Sequence, residues 1–379
     1  MYGVALRMLF GDRAKYLALI FGVAFATLLI TQQSALFVGL MQRTVDVIDD
    51  ASEADLWIMS PEARYIERVR PLRDTVPARV RGIEGVAWAV PLYKASAPVR
   101  TMEGLIESAQ LIGVDDASLV GLPQRFRVGS AADLMAPDAI AVDVFGYNKL
   151  WPGAPLTLGR ELELNDRRAV VAAISEALPG FSTNVIIHSR FSRAVTYVPT
   201  TRNQVSFVLA GVAPGQDPAR VAARVAAQTG LQALTAAEFR WKTIRFFLLN
   251  TGIPVNFSIV ILLGVVVGGT VVGLTFSLFV ADNLRQYASL KAMGVDDGML
   301  TRLVLLQVGV VGSIGYAFGL AMSAAFFEAV GRGDGNFRNF ILPGWVTMGA
   351  LGLVTAIVLA ARLASLRRLR VVDPGIVFR

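Results

Sequence analysis

Four long stretches, residues 16–41, 254–281, 303–327 and 340–361, are apolar from end to end and contain no charged residue. Each has the roughly 20 residues needed to cross a hydrocarbon core, where one central Arg, Lys or Asp costs about 2.5 to 3.5 kcal/mol on insertion scales. A buried helix of a soluble protein can also be charge-free. Four of this length in one chain instead predict four transmembrane helices. Between the first and second stretches lie some 210 residues of a different pattern, in which short runs of β-branched and apolar residues alternate with turn residues such as Pro152-Gly153 and Pro179-Gly180. Strands are predicted at 54–59, 86–92, 106–114, 139–142, 168–174, 184–188, 194–198 and 204–212.

Two helices are well marked in that region. Asp217 can cap a first turn, Pro218 suits the first helical position and Gly230 supplies a stop. Thr235-Ala236-Ala237-Glu238 is a capping-box pattern, and Phe239, Trp241, Ile244, Phe246, Phe247 and Leu248 carry the next helix towards the second apolar stretch. This segment reads as a stalk. Its counterpart is a continuation of the first span through Gln42, Arg43, Asp46, Asp49 and Asp50; two unrelated linkers are the alternative. The fold class is therefore α-helical transmembrane, with four spans and a mixed α/β domain inserted between the first and the second. The segments are 1–41, 42–253 and 254–379.

Composition agrees, since 54% hydrophobic and 17% charged residues are too apolar for an ordinary soluble chain of 379 residues. The net charge of +7 is placed by topology. Arg7, Arg13 and Lys15 precede the first span, and Arg362, Arg367, Arg368 and Arg370 follow the fourth, so both termini are expected in the cytoplasm and the α/β domain outside. The charge is thus no nucleic-acid footprint. The first stretch also has the basic prelude of a signal peptide, but the resumption at Ala35-Leu36-Phe37-Val38 makes it too long for a typical cleaved one and predicts an anchor. There is no cysteine, and the single His188 reads as a strand-end residue and not a ligand.

Candidate chemistry is sparse. No GxxxxGK[ST] phosphate loop, HExxH or GxSxG occurs, and the apolar stretches carry no ionisable residue of the kind that marks ion pathways. No catalytic or metal site is expected. Gly264 and Gly268, Gly269 and Gly273, and Gly315 and Gly319 form GxxxG pairs that allow close helix approach, within the chain or between two copies. The segment 282–295, between the second and third spans, places Tyr287, Leu290 and Met293 or Gly294 at helical spacing, with Gly294 as a stop before Asp296. From the residues alone it is a short amphipathic helix, resting in headgroups or docked in a partner.

This segment resembles the FtsX-family signature, an Arg-Glu-rich turn followed by Leu, a basic, a small and an apolar residue and Gly. Arg285, Leu290, Lys291, Ala292, Met293 and Gly294 fall on the pattern, and Gln286 stands where many members have Glu. One amino-terminal span, a large outer domain and three carboxy-terminal spans look like the MacB and DevC permease layout, and the ending Val372-Asp373-Pro374-Gly375-Ile376-Val377-Phe378-Arg379 looks closest to DevC. The resemblance implies a non-catalytic, homodimeric inner-membrane permease. Its ATP and Mg would be used by a separate ABC ATPase docked at Arg285, Gln286, Tyr287, Leu290, Lys291, Met293 and Gly294. A periplasmic adaptor, a TolC-type outer-membrane channel and an amphipathic substrate such as a glycolipid are implied too. An FtsX-like regulator of a hydrolase, a LolC/LolE-like lipoprotein extractor and a membrane-anchored binding protein are the alternatives.

Overall fold

A computed structural model describes residues 2–68, 70–177, 180–181, 185–199, 204–331 and 342–370. Outside them fall Asn184 of one expected strand, most of the expected outer loop after the third span, the first two residues of the fourth apolar stretch and the DevC-like ending. The side chains of 361–370, Arg362, Arg367, Arg368 and Arg370 among them, are also outside the description.

The chain divides into a helical unit, Met1–Gly39 with Gly252–Arg379, and an α/β unit, Leu40–Thr251. In chain order α1 (Tyr2–Gly11) and α2 (Arg13–Arg43) come first. The α/β unit follows with α3 (Asp46–Asp50), β1 (Leu56–Met59), β2 (Leu72–Arg73), α4 (Val76–Arg81), β3 (Val86–Thr101), β4 (Ile106–Val114), β5 (Phe126–Val128), β6 (Ala139–Asp143), α5 (Val144–Leu150), β7 (Glu161–Leu164), β8 (Arg167–Ser175), β9 (Val185–Arg190), α6 (Phe191–Tyr197), β10 (Gln204–Val205), β11 (Phe207–Val212), α7 (Pro218–Thr229), β12 (Gln232–Thr235) and α8 (Ala236–Asn250). Then come α9 (Ile253–Asp282), α10 (Leu284–Ala292), α11 (Asp297–Gly331) and α12 (Gly344–Arg370).

Among the described residues three helices are long and apolar enough to cross a membrane: Arg13–Arg43, Ile253–Asp282 and Gly298–Gly331; the apolar part described in α12, Gly344–Ala360, is shorter. Ile259, Leu262, Leu263, Val266 and Leu274 of α9 are exposed, a stripe that water penalises and lipid solvates. Inside the unit, α12 packs on α9 and α11. The glycine pairs are explained largely within the chain. A Cβ at Gly264 would meet Leu29, one at Gly268 would collide with Ala26, one at Gly315 would lie 2.6 Å from the Val23 Cβ, and one at Gly319 would lie 2.6 Å from the Thr27 Cβ. All four neighbours belong to α2. Gly269 faces Ile357 of α12, and Gly273 meets nothing within 4 Å. The close approach lets Thr31 Oγ1 and Ser323 Oγ meet at 2.5 Å across α2 and α11, where both are buried.

The α/β unit is built on a mixed sheet of order β12-β1-β11-β3-β4-β9-β6-β8-β5, with β7 pairing β3 and β8. The β4/β9 and β6/β8 pairs are parallel. Both faces are covered, so β1 is buried at every position. Leu56 and Ile58 pack with Val80 of α4 and Val221 of α7, whereas Trp57 and Met59 pack with Phe239 of α8. The two marked helices form where their caps put them. Asp217 accepts from the Ala219 N–H and Gly230 closes α7 at φ 70°, while Thr235 and Glu238 of the α8 box bond reciprocally at 3.2 and 2.9 Å.

Two expectations are corrected. Residues 194–198 are not a strand: α6 occupies this stretch, because Ala194 and Tyr197, one turn apart, fill the core over β3 and β4, and the Ser192 N–H is held by Asp116 Oδ1 at 3.1 Å. The first stalk is not a continuous helix. It breaks after Arg43, where Thr44 Oγ1 turns back onto the Met41 carbonyl at 2.6 Å, and restarts as the five-residue α3. His188 is interior to β9 and not at its end, is fully buried, and among the described residues neither ring nitrogen has a hydrogen-bond partner; burial lowers its pKa to about 3, so it stays neutral.

Candidate functional site

In the helical unit the sequence-predicted docking residues fall on α10 and the turn that ends it. α10 stops in a Schellman arrangement, because Gly294 takes φ +91° and the Val295 N–H reaches the Leu290 carbonyl at 3.1 Å. Val295 and Leu290 are both buried, which supplies the apolar contact that accompanies this stop. Tyr287 is 1% exposed and donates to Gln307 Oε1 of α11 at 3.0 Å; burial raises its hydroxyl to about 12. One face of α10 is thus locked into the bundle. The other is open: Arg285, Gln286 and Ala292 are exposed, Lys291 is half-buried, and Met293 is 73% exposed at the tip.

Beside this face lies a cleft of about 630 Å³ lined by Arg7, Met8, Gly11, Asp12, Asp282, Asn283 and Gln286. Its charges are cross-linked, because the Lys15 ammonium pairs with Asp12 at 2.9 Å and also with Asp282. Asp282 ends α9, where a carboxylate faces the negative end of the helix dipole, and Lys15 offsets that charge. The sequence-predicted residues therefore separate into two sets. Arg285, Gln286 and Met293 point outward, and Tyr287, Leu290 and Gly294 build the helix and seat it. Leu290, expected as the apolar docking contact, lies in the bundle core because its position follows Tyr287 by one turn.

The α/β unit carries a second polar cluster, on α3. Among the described residues Asp46, 2% exposed, has no partner for Oδ1 and the buried Asp50 Oδ2 has none either, while Asp49 pairs with Arg240 of α8 at 3.4 Å. Burial first, then the charges of Asp50 and Asp49, raise Asp46 to about 8, against Arg43 and Arg240; burial raises Asp50 to about 7. Among the described residues no group of His, Asp and Glu is arranged to hold a metal ion.

The MacB-like periplasmic core domain model matches residues 16–228, more than half of the chain, and the FtsX-like permease C-terminal model matches residues 233–374. The chain belongs to the FtsX/MacB-type permeases. Solved structures similar to this permease include the extracellular domain of the noncanonical ABC-type transporter YknZ from Gram-positive bacteria, at 15% identity and TM-score 0.36, covering 48% of this chain and 98% of that one. The periplasmic region of MacB from Actinobacillus actinomycetemcomitans matches at 13% identity and TM-score 0.37, covering 54% and 98%. A domain of a permease protein from Porphyromonas gingivalis matches at 13% identity and TM-score 0.35, covering 48% and 90%. Comparison with curated protein sequences gave no match.

The permease is thus the membrane component of an ABC-type transporter, with a MacB-like periplasmic domain. Sequence reasoning missed the helix α1, the cleft residues Arg7, Asp12 and Asp282, and Lys15, which pairs with the two acids, having assigned the basic ones to topology alone. The available signal was an acid just before the first apolar run, Asp12, and another just after the second, Asp282. The burial of Asp46 had no signal in sequence, because a polar residue after a span reads as solvated.

Proposed function

We propose that this permease is the membrane subunit of a DevC-like exporter, acting as a homodimer on two copies of a separate ABC ATPase that uses ATP and Mg. In this reading four helices cross the inner membrane, α12 being the fourth, both termini are cytoplasmic, and the MacB-like domain faces a periplasmic adaptor and a TolC-type channel. Closure of the ATPases pushes on α10. The motion passes to the spans and, through α3 and α8, to the periplasmic domain, which drives an amphipathic substrate such as a glycolipid outward.

The observation that carries the reading is the two-faced α10. Seated by Tyr287 and Leu290, it transmits a push on Arg285, Gln286 and Met293 directly to α11, through the Tyr287–Gln307 hydrogen bond and the shared core. The absence of a phosphate loop in the sequence fits a chain that borrows its ATPase.

The test is co-purification of the ATPase with variants of the exposed face. Met293→Asp combined with Arg285→Glu should abolish recovery of the ATPase while leaving membrane insertion intact, since truncating a hot-spot residue at the centre of an interface costs about 2 kcal/mol or more and burying an unpaired carboxylate there adds to that cost. Met293→Leu should retain it. Recovery at the wild-type ratio with the double variant would remove α10 as the docking element. Leu290→Asp is unsuitable, because it would place a carboxylate in the bundle core.

A further inference from the structure

The carboxy-terminal half of α8 borders an open pocket of about 410 Å³ whose lining includes Arg64, Lys242, Arg245, Phe246, Leu249 and Asn250. Three of the lining residues are cationic and none is acidic. Lys242 is held by neutral acceptors, donating to the Ala63 carbonyl and to Gln232 Oε1, so its position is fixed and its charge is not cancelled. Arg64 and Arg245 are exposed, and among the described residues neither forms an ion pair. The nearest acid in sequence, Glu62, is engaged by Arg70 at 3.5 Å. Three uncompensated cations around one hollow repel one another, and an anion relieves that repulsion.

The pocket also has a preset apolar side. Phe246 stacks on Tyr65 at 4.1 Å with an interplanar angle of 13°, and Tyr65 meets Phe247 edge-on at 5.4 Å, which pins the loop carrying Arg64 against α8. Leu249 is 68% exposed at the end of the pocket, and Trp241 is exposed on the same helix. Only Thr251 and Gly252 separate α8 from α9, the most apolar of the membrane-capable helices. Three Cα steps, about 11 Å at most, therefore join the pocket residue Asn250 to the start of a membrane span.

We infer that this pocket binds the phosphate-bearing headgroup of a net anionic membrane amphiphile, with Arg64, Lys242 and Arg245 on the phosphate and Phe246 and Leu249 on the first carbons of its apolar part. Guanidinium groups match phosphate oxygens in pairs of hydrogen bonds, and the exposed Leu249 and Trp241 suit the region where headgroup gives way to chain. A free phosphate would use the cations and leave the apolar wall idle. The inference rests on the reading of α9 as a membrane span.

The test uses the purified, delipidated full chain in neutral detergent micelles, titrated by native mass spectrometry with phosphatidylglycerol, phosphatidylcholine or inorganic phosphate. Wild type should bind phosphatidylglycerol at least tenfold more tightly than either of the others. Arg64→Gln combined with Arg245→Gln should weaken phosphatidylglycerol about tenfold or more, since removing one charge-assisted hydrogen bond corresponds to about a tenfold factor. Arg64→Lys with Arg245→Lys should retain most of the affinity, and Arg220→Gln on α7, outside the pocket, should change nothing. Equal binding of the two lipids, or a double Gln variant within twofold of wild type, overturns the site; phosphate binding as tightly as phosphatidylglycerol overturns the headgroup assignment. None of these readouts involves the ATPase. Failure of the α10 variants to release the ATPase would leave this inference standing, and loss of lipid selectivity with normal ATPase docking would sink only this one.

Discussion

Replacing Asp46 by Asn converts the buried α3 acid into a neutral side chain of the same shape. In the folded chain burial and the neighbouring Asp50 and Asp49 raise Asp46 to about 8, whereas its ordinary value is 3.8. Folded protein therefore keeps a proton that the unfolded chain has released between those two values. Stability contributed by the protonated carboxyl is fully present below pH 3.8 and is lost as pH rises towards 8, at about 1.4 kcal/mol per pH unit. Between pH 4 and pH 7 that is about 4 kcal/mol. Asn carries no such dependence, so the advantage of Asp46→Asn over wild type should grow by about that amount across the same range. For a unit of this size each kcal/mol moves Tm by about 2 to 4 °C, so the Tm difference should widen by about 8 to 16 °C. Tryptophan fluorescence of the full chain in micelles is a suitable assay, because Trp57, Trp88, Trp151 and Trp241, four of its five tryptophans, lie in the α/β unit. If wild type and Asp46→Asn differ by the same Tm at pH 4 and pH 7, Asp46 is solvated and the buried-acid description of α3 is wrong.

Two further outcomes follow from packing. Asp143 is fully buried and caps α5, accepting from the Gly146 N–H at 2.9 Å and the Ile186 N–H at 2.7 Å; Asp143→Ala should orphan both donors and cost about 2 to 4 kcal/mol, read as a lower denaturant midpoint. Gly319→Leu should force α11 away from α2, an overpacking cost of about 1 to 3 kcal/mol or more, and should lower the yield of a disulfide between Thr31→Cys and Ser323→Cys, a background free of native cysteine.

The parts of the fold that were legible in sequence are those specified locally. Residues 106–114, bounded by turn residues and largely apolar after Ser108, form β4 over the expected bounds, and the Asp217-Pro218 and Thr235-Glu238 caps start α7 and α8 where the side chains dictate. Short edge elements were not legible: β2, β5 and β12 have two to four residues and exist because a neighbour offers a hydrogen-bonding edge. The α6 stretch misled because Val195 and Thr196 favour strand locally, while the core contacts of Ala194 and Tyr197 decide for helix. At α10 the periodicity located the helix and its stop. It did not tell which apolar residue faces inward, since Leu290 and Met293 differ only in whether the bundle or the turn receives them. The pocket on α8 was invisible for a similar reason, Arg64 and Arg245 being far apart in sequence.

The central proposal is that ATP turnover by an ATPase docked at α10 rearranges the periplasmic domain, and an inter-protomer distance measures it most directly. Arg167, exposed at the start of β8, accepts a spin label after substitution by Cys in this cysteine-free chain. Double electron–electron resonance on the assembled permease and ATPase, without nucleotide and after trapping as the ADP–vanadate complex formed from ATP, should give two different label-to-label distance distributions, and Met293→Asp with Arg285→Glu should abolish the difference. One unchanged distribution in both states, in a complex that still hydrolyses ATP, would contradict the account.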